Sequence, residues 1–235
     1  MKLKINWSGK SHNFNYKEKK YLLRVLDSDN LTQGRELVKF EKGLKKYLNK
    51  KNIFCTSSAA ASLEIIAILL KLKKGDEVIV PAHTYCASAI SFARNGAKII
   101  WADIDFKTRT IDIEDVKKKI TNKTKAIVIV HLYGYAVDVN KFKRINSKIK
   151  IIEDCAQAFG AMVKNQKVGS LGDIGCFSFY PTKNLGCFGD GGMVVTNNKN
   201  YYKKIISLRN HGSLKRYIHT QLGFNSRLDE IQAAI

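Results

Sequence analysis

Short apolar segments alternate with longer stretches that carry apolar residues on one side, and this alternation recurs along most of the chain. "NIFCT" (52–56) precedes "SAAASLEIIAILLKL", and "DEVIVP" (76–81) precedes "YCASAISFARNG". "AKIIWADI" (97–104) precedes "DIEDVKKKI", and "KAIVIVHLYG" (125–134) precedes "VNKFKRINSK", whereas "KIIED" (150–154) runs into a loop. Strand-length apolar runs separated by helix-length amphipathic ones predict an α/β fold with a parallel sheet covered by helices. "IGCFSFY" (174–180) and "GGMVVTN" (191–197) are further strands with only a loop between them, so part of the sheet is expected to leave simple βαβ order. Ahead of the first strand, "YKEKKYLLRVLD" and "RELVKFEKGLKKYL" carry apolar residues at three- and four-residue spacing and read as amphipathic helices. The expected division is therefore a helical segment over 1–50 and an α/β domain over 51–235. Ligands of such sheets gather at the carboxyl ends of the strands. Ser58, Tyr85, His131, Asp154 and Ser178 all fall at or just past predicted strand ends.

Several function classes recede on composition. The chain has 41 Lys and Arg against 20 Asp and Glu, a net charge of +21, which favours polyanionic partners. The lysines are spread over the whole chain and lack interleaved aromatics, and arginine, the better phosphate fork, is scarce. A solubilising surface is the preferred reading, a phosphorylated small substrate would also suit it, and no nucleic acid is expected as a partner. The longest apolar run, Ile65 to Leu70, is too short to span a bilayer. No secretory signal is seen in "MKLKINWSGKSHNF", so a cytoplasmic setting without membrane partners is expected. Cys55, Cys86, Cys155, Cys176 and Cys187 are odd in number and lack CxxC spacing, so they read as reduced thiols; no metal site is expected. "SGKSH" (8–12) has the GK[ST] of a phosphate loop without its upstream glycine, and "FGDGGMV" lacks the last glycine of G-x-G-x-x-G.

One constellation does carry chemistry. Lys183 sits in "FYPTKNLGCFGDGG", a stretch otherwise free of basic residues and followed by Gly186, Gly189, Gly191 and Gly192. A lysine amine in a desolvated site is a nucleophile that condenses with aldehydes, and glycines mark close approach of the backbone. Asp154 ends a strand, with Gln157 three residues on. It reads either as the cap of the next turn or as a carboxylate for a protonated ring nitrogen, as a pyridinium requires. "CTSSAAAS" ends a strand and opens a helix, which offers backbone N–H groups to an anion, and Ser178 adds a hydroxyl. Tyr85 reads as core or as a face for an aromatic ring. Together these residues describe pyridoxal phosphate chemistry.

The sequence resembles the DegT/StrS-type sugar aminotransferases, fold-type-I enzymes dependent on pyridoxal 5′-phosphate. The resemblance runs through "TQGRELVKFEKGLKKYL", "GDEVIVPAHTYCASA", "VHLYGYAVDV", "IIEDCAQAFGA" and "VGSLGDIGCFSFYPTKNLGCFGDGG" to "GFNSRLDEIQAAI". It implies the large domain of such an enzyme, with a mainly parallel, mixed seven-stranded sheet between helices. It also implies Lys183 as the lysine that binds the cofactor covalently, Asp154 on the pyridine nitrogen and Gln157 on the ring oxygen. Tyr85 would stack on the ring, with Ser178 and the loop Ser58–Ala59–Ala60 on the phosphate. Asn225 and Arg227 resemble residues that cross a dimer interface, the asparagine to the neighbour's phosphate and the arginine to the amino donor's carboxylate. The implied activity is transamination, with glutamate as donor and a nucleotide-linked keto-sugar as acceptor, in surface polysaccharide or glycan synthesis by a homodimer.

Two departures stand out. The family's phosphate loop usually reads Ser-Gly-Thr, and here Ser58-Ala59-Ala60 lacks the threonine hydroxyl. Relatives continue past "EIQAAI" into a small C-terminal domain, which keeps open the alternative of a truncated, non-catalytic remnant that binds cofactor or a partner. The related sugar 3-dehydratases carry histidine at the lysine position, and Lys183 argues against that branch.

Overall fold

A computed structural model describes residues 16–235, so the phosphate-loop-like "SGKSH" lies outside the described residues. The chain begins with helices α1 (Tyr16–Leu26) and α2 (Arg35–Leu48), followed by β1 (Asn52–Thr56) and α3 (Ala59–Leu69). Next come β2 (Glu77–Pro81), α4 (Ala87–Arg94), β3 (Lys98–Ala102), α5 (Ile113–Lys119) and β4 (Thr124–Val130). Helix α6 (Val139–Lys143) leads to β5 (Lys150–Asp154), and a small hairpin, β6 (Met162–Val163) with β7 (Gln166–Lys167), follows. The chain closes with β8 (Ile174–Ser178), β9 (Gly192–Thr196), α7 (Lys199–Arg209), the hairpin β10 (Ser213–Lys215) with β11 (Ile218–His219), and α8 (Glu230–Ala234).

Seven strands form one sheet in the order β1-β9-β8-β5-β4-β2-β3. The pairs β2–β3, β2–β4, β4–β5 and β5–β8 are parallel, while β9 is antiparallel to both β1 and β8. The departure expected after "IGCFSFY" is therefore one reversed strand. With no helix between β8 and β9 the chain cannot cross back to a parallel position, so it returns alongside. Reversal has a consequence for the site. Gly192, the first residue of β9, pairs with Thr56 and with Ser178, the last residues of β1 and β8. The amino end of β9 thus lies among the carboxyl ends of the other strands.

Side-chain alternation explains the two covered faces. Phe54, Val78, Val80, Val128 and Ile152 pack on one face with Leu63, Ile66 and Phe92 of α3 and α4. Ile53, Cys55, Ile79, Ile127 and Ile151 point the other way, into clusters completed by α2, α5 and α6. Edge strand β1 is closed by side chains: Glu41 accepts the Cys55 N–H at 2.9 Å, and Arg209 donates to the Cys55 carbonyl at 2.7 Å. Arg209 also bonds Glu41 at 2.9 Å, so the pair satisfies itself as it occupies the edge.

Helix α2 starts at Gly34, which supplies no side-chain cap. The cap comes from the far end of the chain: the buried Glu230 carboxylate accepts N–H groups from Gly34 at 2.7 Å and from Glu36 and Leu37 at 2.8 Å. A carboxylate on three orphan donors at a positive helix end is a favourable match. Expected helix α6 is shorter than its pattern, since the chain turns at Ile145 and the Asn146 side chain takes the Lys148 N–H. Helix α7 and the two small hairpins had no counterpart in the sequence reading.

Candidate active site

A cavity of about 560 Å³ opens at the carboxyl ends of the strands. Its wall includes Ser58, Ala59, Ala60, Tyr85, Asp154, Gln157, Ser178 and Lys183. Eight expected site residues, from Ser58 to Lys183 on α3, β5, β8 and the loops beside them, thus meet in one place because six strands end on the same side of the sheet.

Each wall residue is held by identifiable contacts. Ser58 is the N-cap of α3, its Oγ accepting the Ala61 N–H at 3.0 Å. This leaves the N–H groups of Ala59 and Ala60, in the first turn, without intrahelical partners at the cavity wall. Gly192 allows that arrangement, since a Cβ there would run into the Ser58–Ala59 backbone. The glycines after Lys183 mark close approach, but of chain to chain: a Cβ on Gly186 would lie 2.8 Å from the Pro181 carbonyl, and one on Gly191 3.0 Å from Leu228 and Cys187. Ser178 Oγ accepts the Tyr180 N–H at 3.2 Å, so its own proton is free for another acceptor.

Asp154 makes the turn-capping bond of one sequence reading and also borders the cavity that the other reading requires. Its Oδ1 accepts the Ala156 N–H at 3.0 Å, a turn-capping bond, yet the carboxylate also forms part of the cavity wall. Oδ2 accepts the Ser88 hydroxyl at 2.7 Å. Gln157 is oriented by the backbone: its Oε1 accepts the Tyr133 N–H at 2.8 Å, which turns the amide NH2 into the available donor. Tyr133 holds a left-handed φ of 53° in this bond. Tyr85 is 75% exposed, so the core reading of that residue does not hold. Lys183 bonds through its backbone to the Tyr180 carbonyl, and its ammonium has no hydrogen-bond or ion-pair partner among the described residues.

Asn225 and Arg227 do not line this cavity. Asn225 is exposed and bridges to Asn210, while an Arg227 Nη1 donates to Asn210 Oδ1 at 3.1 Å. The buried Nε of Arg227 has no hydrogen-bond partner among the described residues. Sequence reasoning passed over Thr84, Tyr180, Thr182 and Asp190, which also line the cavity, and Ser88 behind it. A hydroxyl four residues after Thr84 was the available signal for Ser88, and only the helix that follows gives the spacing meaning.

The thiols near the site are not competing nucleophiles. Burial pushes the Cys155 and Cys176 thiols well up, and the neighbouring Glu153 and Asp154 carboxylates add to the effect. Burial also raises Cys187 to about 11. His131, Glu153 and Cys155 bring ligand-type atoms within 4.8 Å of one another. Their hydrogen bonds close the group: His131 Nδ1 accepts the Val137 N–H at 3.0 Å, which leaves the ring proton on Nε2, 3.0 Å from Glu153. Glu153 further accepts the N–H groups of Gly169 at 2.8 Å, Leu171 at 2.7 Å and Gly172.

The donor set fits pyridoxal phosphate. A helix N-terminus with adjacent hydroxyls suits a phosphate, a buried carboxylate suits a pyridinium, an oriented amide donor suits a ring oxygen, and an unpaired lysine suits an aldehyde. No helix among the described residues is long and apolar enough to cross a membrane.

The sequence model of the DegT/DnrJ/EryC1/StrS aminotransferase family matches residues 13–235. The chain is 45% identical over 205 residues to the UDP-N-acetyl-3-dehydro-alpha-D-glucosamine 3-aminotransferase of Acidithiobacillus ferrooxidans, covering 86% of this chain and 55% of that protein. It superposes on DesV of S. venezuelae, solved in complex with a ketimine intermediate, with a TM-score of 0.88 at 40% identity over 92% of this chain and 59% of DesV. The PLP-form of the sugar aminotransferase Spr1654 from Streptococcus pneumoniae, a function described there as putative, gives a TM-score of 0.89 at 29% identity, covering 98% of this chain and 65% of that one. The chain spans 55% to 61% of the length of the curated relatives it matches.

Proposed function

Because the chain belongs to the DegT/DnrJ/EryC1/StrS aminotransferase family, we propose that it carries the pyridoxal-phosphate site of a nucleotide-sugar aminotransferase. The observation that carries this reading is the convergence of Lys183, Asp154 and Gln157 with the α3 N-terminus in one cavity. The names of the relatives, which act on UDP- and dTDP-linked sugars, support the acceptor class, and glutamate is the proposed donor. Surface polysaccharide or glycan synthesis in the cytoplasm is the proposed setting.

Pyridoxal phosphate, when bound, supplies an aldehyde that takes up amines and a ring that accepts the electron pair released at the amine-bearing carbon. The chain's residues do the rest. The Ala59 and Ala60 N–H groups, with the Ser58 and Ser178 hydroxyls, hold the phosphate. Tyr85 covers the ring face, and the Gln157 amide NH2 donates to the ring oxygen. Asp154 holds the proton on the ring nitrogen by charge and hydrogen bond. Lys183 Nζ would anchor the cofactor and serve as the general base for the proton on the donor's α-carbon. In the second half of the cycle it returns a proton to the sugar carbon that receives the amino group.

A two-fold dimer completes the proposal, with Asn225 and Arg227 serving the partner's site. Their position outside this chain's own cavity supports that division of labour. Borohydride reduction with cofactor, followed by peptide mapping, should place the pyridoxyl group on Lys183. A label on any other lysine overturns the assignment.

A further inference from the structure

Resting on the proposed cofactor site, we infer that Ser88 is a positioning residue, held in turn by Thr84, that keeps the negative charge on Asp154 and thereby the proton on the ring nitrogen.

Ser88 lies in the first turn of α4, is 1% exposed, and does not belong to the cavity wall. It reaches Asp154 from an element 66 residues away, with its Oγ 2.7 Å from Oδ2. Thr84 Oγ1 lies 2.8 Å from the Ser88 oxygen, and Thr84 does line the cavity. The direction of this chain of hydrogen bonds follows from proton counting. A carboxylate can only accept, so the single Ser88 proton goes to Asp154, and Thr84 must donate to Ser88. A hydroxyl that is itself a hydrogen-bond acceptor is a better donor, so the Thr84 contact strengthens the bond to the carboxylate.

Two bonds then act on Asp154, the Ala156 N–H on Oδ1 and Ser88 on Oδ2. One bond on each oxygen fixes the carboxylate plane and leaves a lone pair on each for the cavity. Both bonds are donated to the charged carboxylate, and in this proposal they leave the shared proton on the ring nitrogen. Ser88 is the only side chain among the described residues that bonds Asp154, so the sharing depends on it more than on any other group. Of the titratable neighbours on its own strand and on β8, Glu153 is committed to His131 and burial holds the Cys155 and Cys176 thiols protonated, while Lys183 and Asp190 line the same cavity.

The test uses the chain loaded with pyridoxal phosphate labelled with 15N in the ring. Wild type should show the ring nitrogen at a protonated-pyridine position. Ser88→Ala should still bind one cofactor per chain, but its 15N signal should move towards the unprotonated position, with kcat lower by on the order of tenfold and KM little changed. Ser88→Thr should restore the wild-type signal, and Thr84→Val should give a smaller shift in the same direction. An unchanged 15N signal in Ser88→Ala, whatever its stability or turnover, overturns the inference. If wild type binds no cofactor, or its ring nitrogen is unprotonated, the site reading itself fails instead.

Discussion

Glu153 and Asp154 are adjacent at the end of β5, both nearly excluded from water, and they have opposite fates. Successive strand residues face opposite sides of the sheet. Glu153 faces a closed knot where His131 and the backbone of Gly169, Leu171 and Gly172 supply four donors to two oxygens. Asp154 has two donors, one from Ala156 and one from Ser88, and an open cavity in front of it. Burial is therefore a poor guide to chemical role, and unspent hydrogen-bonding capacity is a better one. Glu153 ties the loop before β8 to the sheet, while Asp154 keeps lone pairs for a ligand.

The largest effect that tests this contrast is on turnover. Asp154→Asn should lower transamination by at least about a hundredfold, because an amide cannot hold the ring proton by charge. The same variant should keep its cofactor and lose no more than about 1 kcal/mol of stability in urea unfolding. Near-normal turnover would make Asp154 as structural as its neighbour. Glu153→Gln should invert the pattern, with a loss of about 3 kcal/mol of unfolding free energy, since an amide turns one acceptor into a donor facing other donors. Its folded fraction should still label at Lys183; loss of labelling with stability intact would mean the knot is part of the chemistry.

Smaller effects separate the open wall from the closed interior. Ser58→Ala removes the α3 cap, and about 1 kcal/mol of stability should go with it. Because the same hydroxyl borders the proposed phosphate site, cofactor titration should show weaker binding as well; a loss of stability without a loss of affinity would confine Ser58 to capping. The mildest probe is thiol chemistry. Cys86, exposed beside Tyr85, should react with a disulfide reagent in the native protein, while Cys155 in the closed knot and Cys55, Cys176 and Cys187 should wait for unfolding. More than one rapidly reacting thiol would show that the interior opens under native conditions.

Much of the site was legible because its residues sit where local patterns end. Asp154 ends a strand-length run, Ser178 lies near the end of another, Ser58 precedes a helix, and Lys183 stands apart from the chain's other lysines in a glycine-rich stretch. Ser88 was not legible, since a serine inside "CASAISFA" looks like any small helix residue until α4 is laid against β5. Glu153 beside Asp154 gave no sign of which carboxylate would be spent. Helix α7 was hidden in "KNYYKKIISLR", where lysines mask the apolar spacing, and Glu230 as the cap of α2 spans almost the whole chain.

By itself the sequence determined the order of the seven sheet strands and of helices α1 to α6, the two-faced apolar alternation and the candidate residues at strand ends, because those are consequences of local spacing and side-chain type. Tertiary structure alone decided the rest: that β9 runs backwards between β1 and β8, that its Gly192 meets the Ser58–Ala59 backbone, and that Ser88 reaches Asp154. Hydrogen bonds between distant segments depend on how elements are oriented in space, and spacing along the chain carries no record of that orientation.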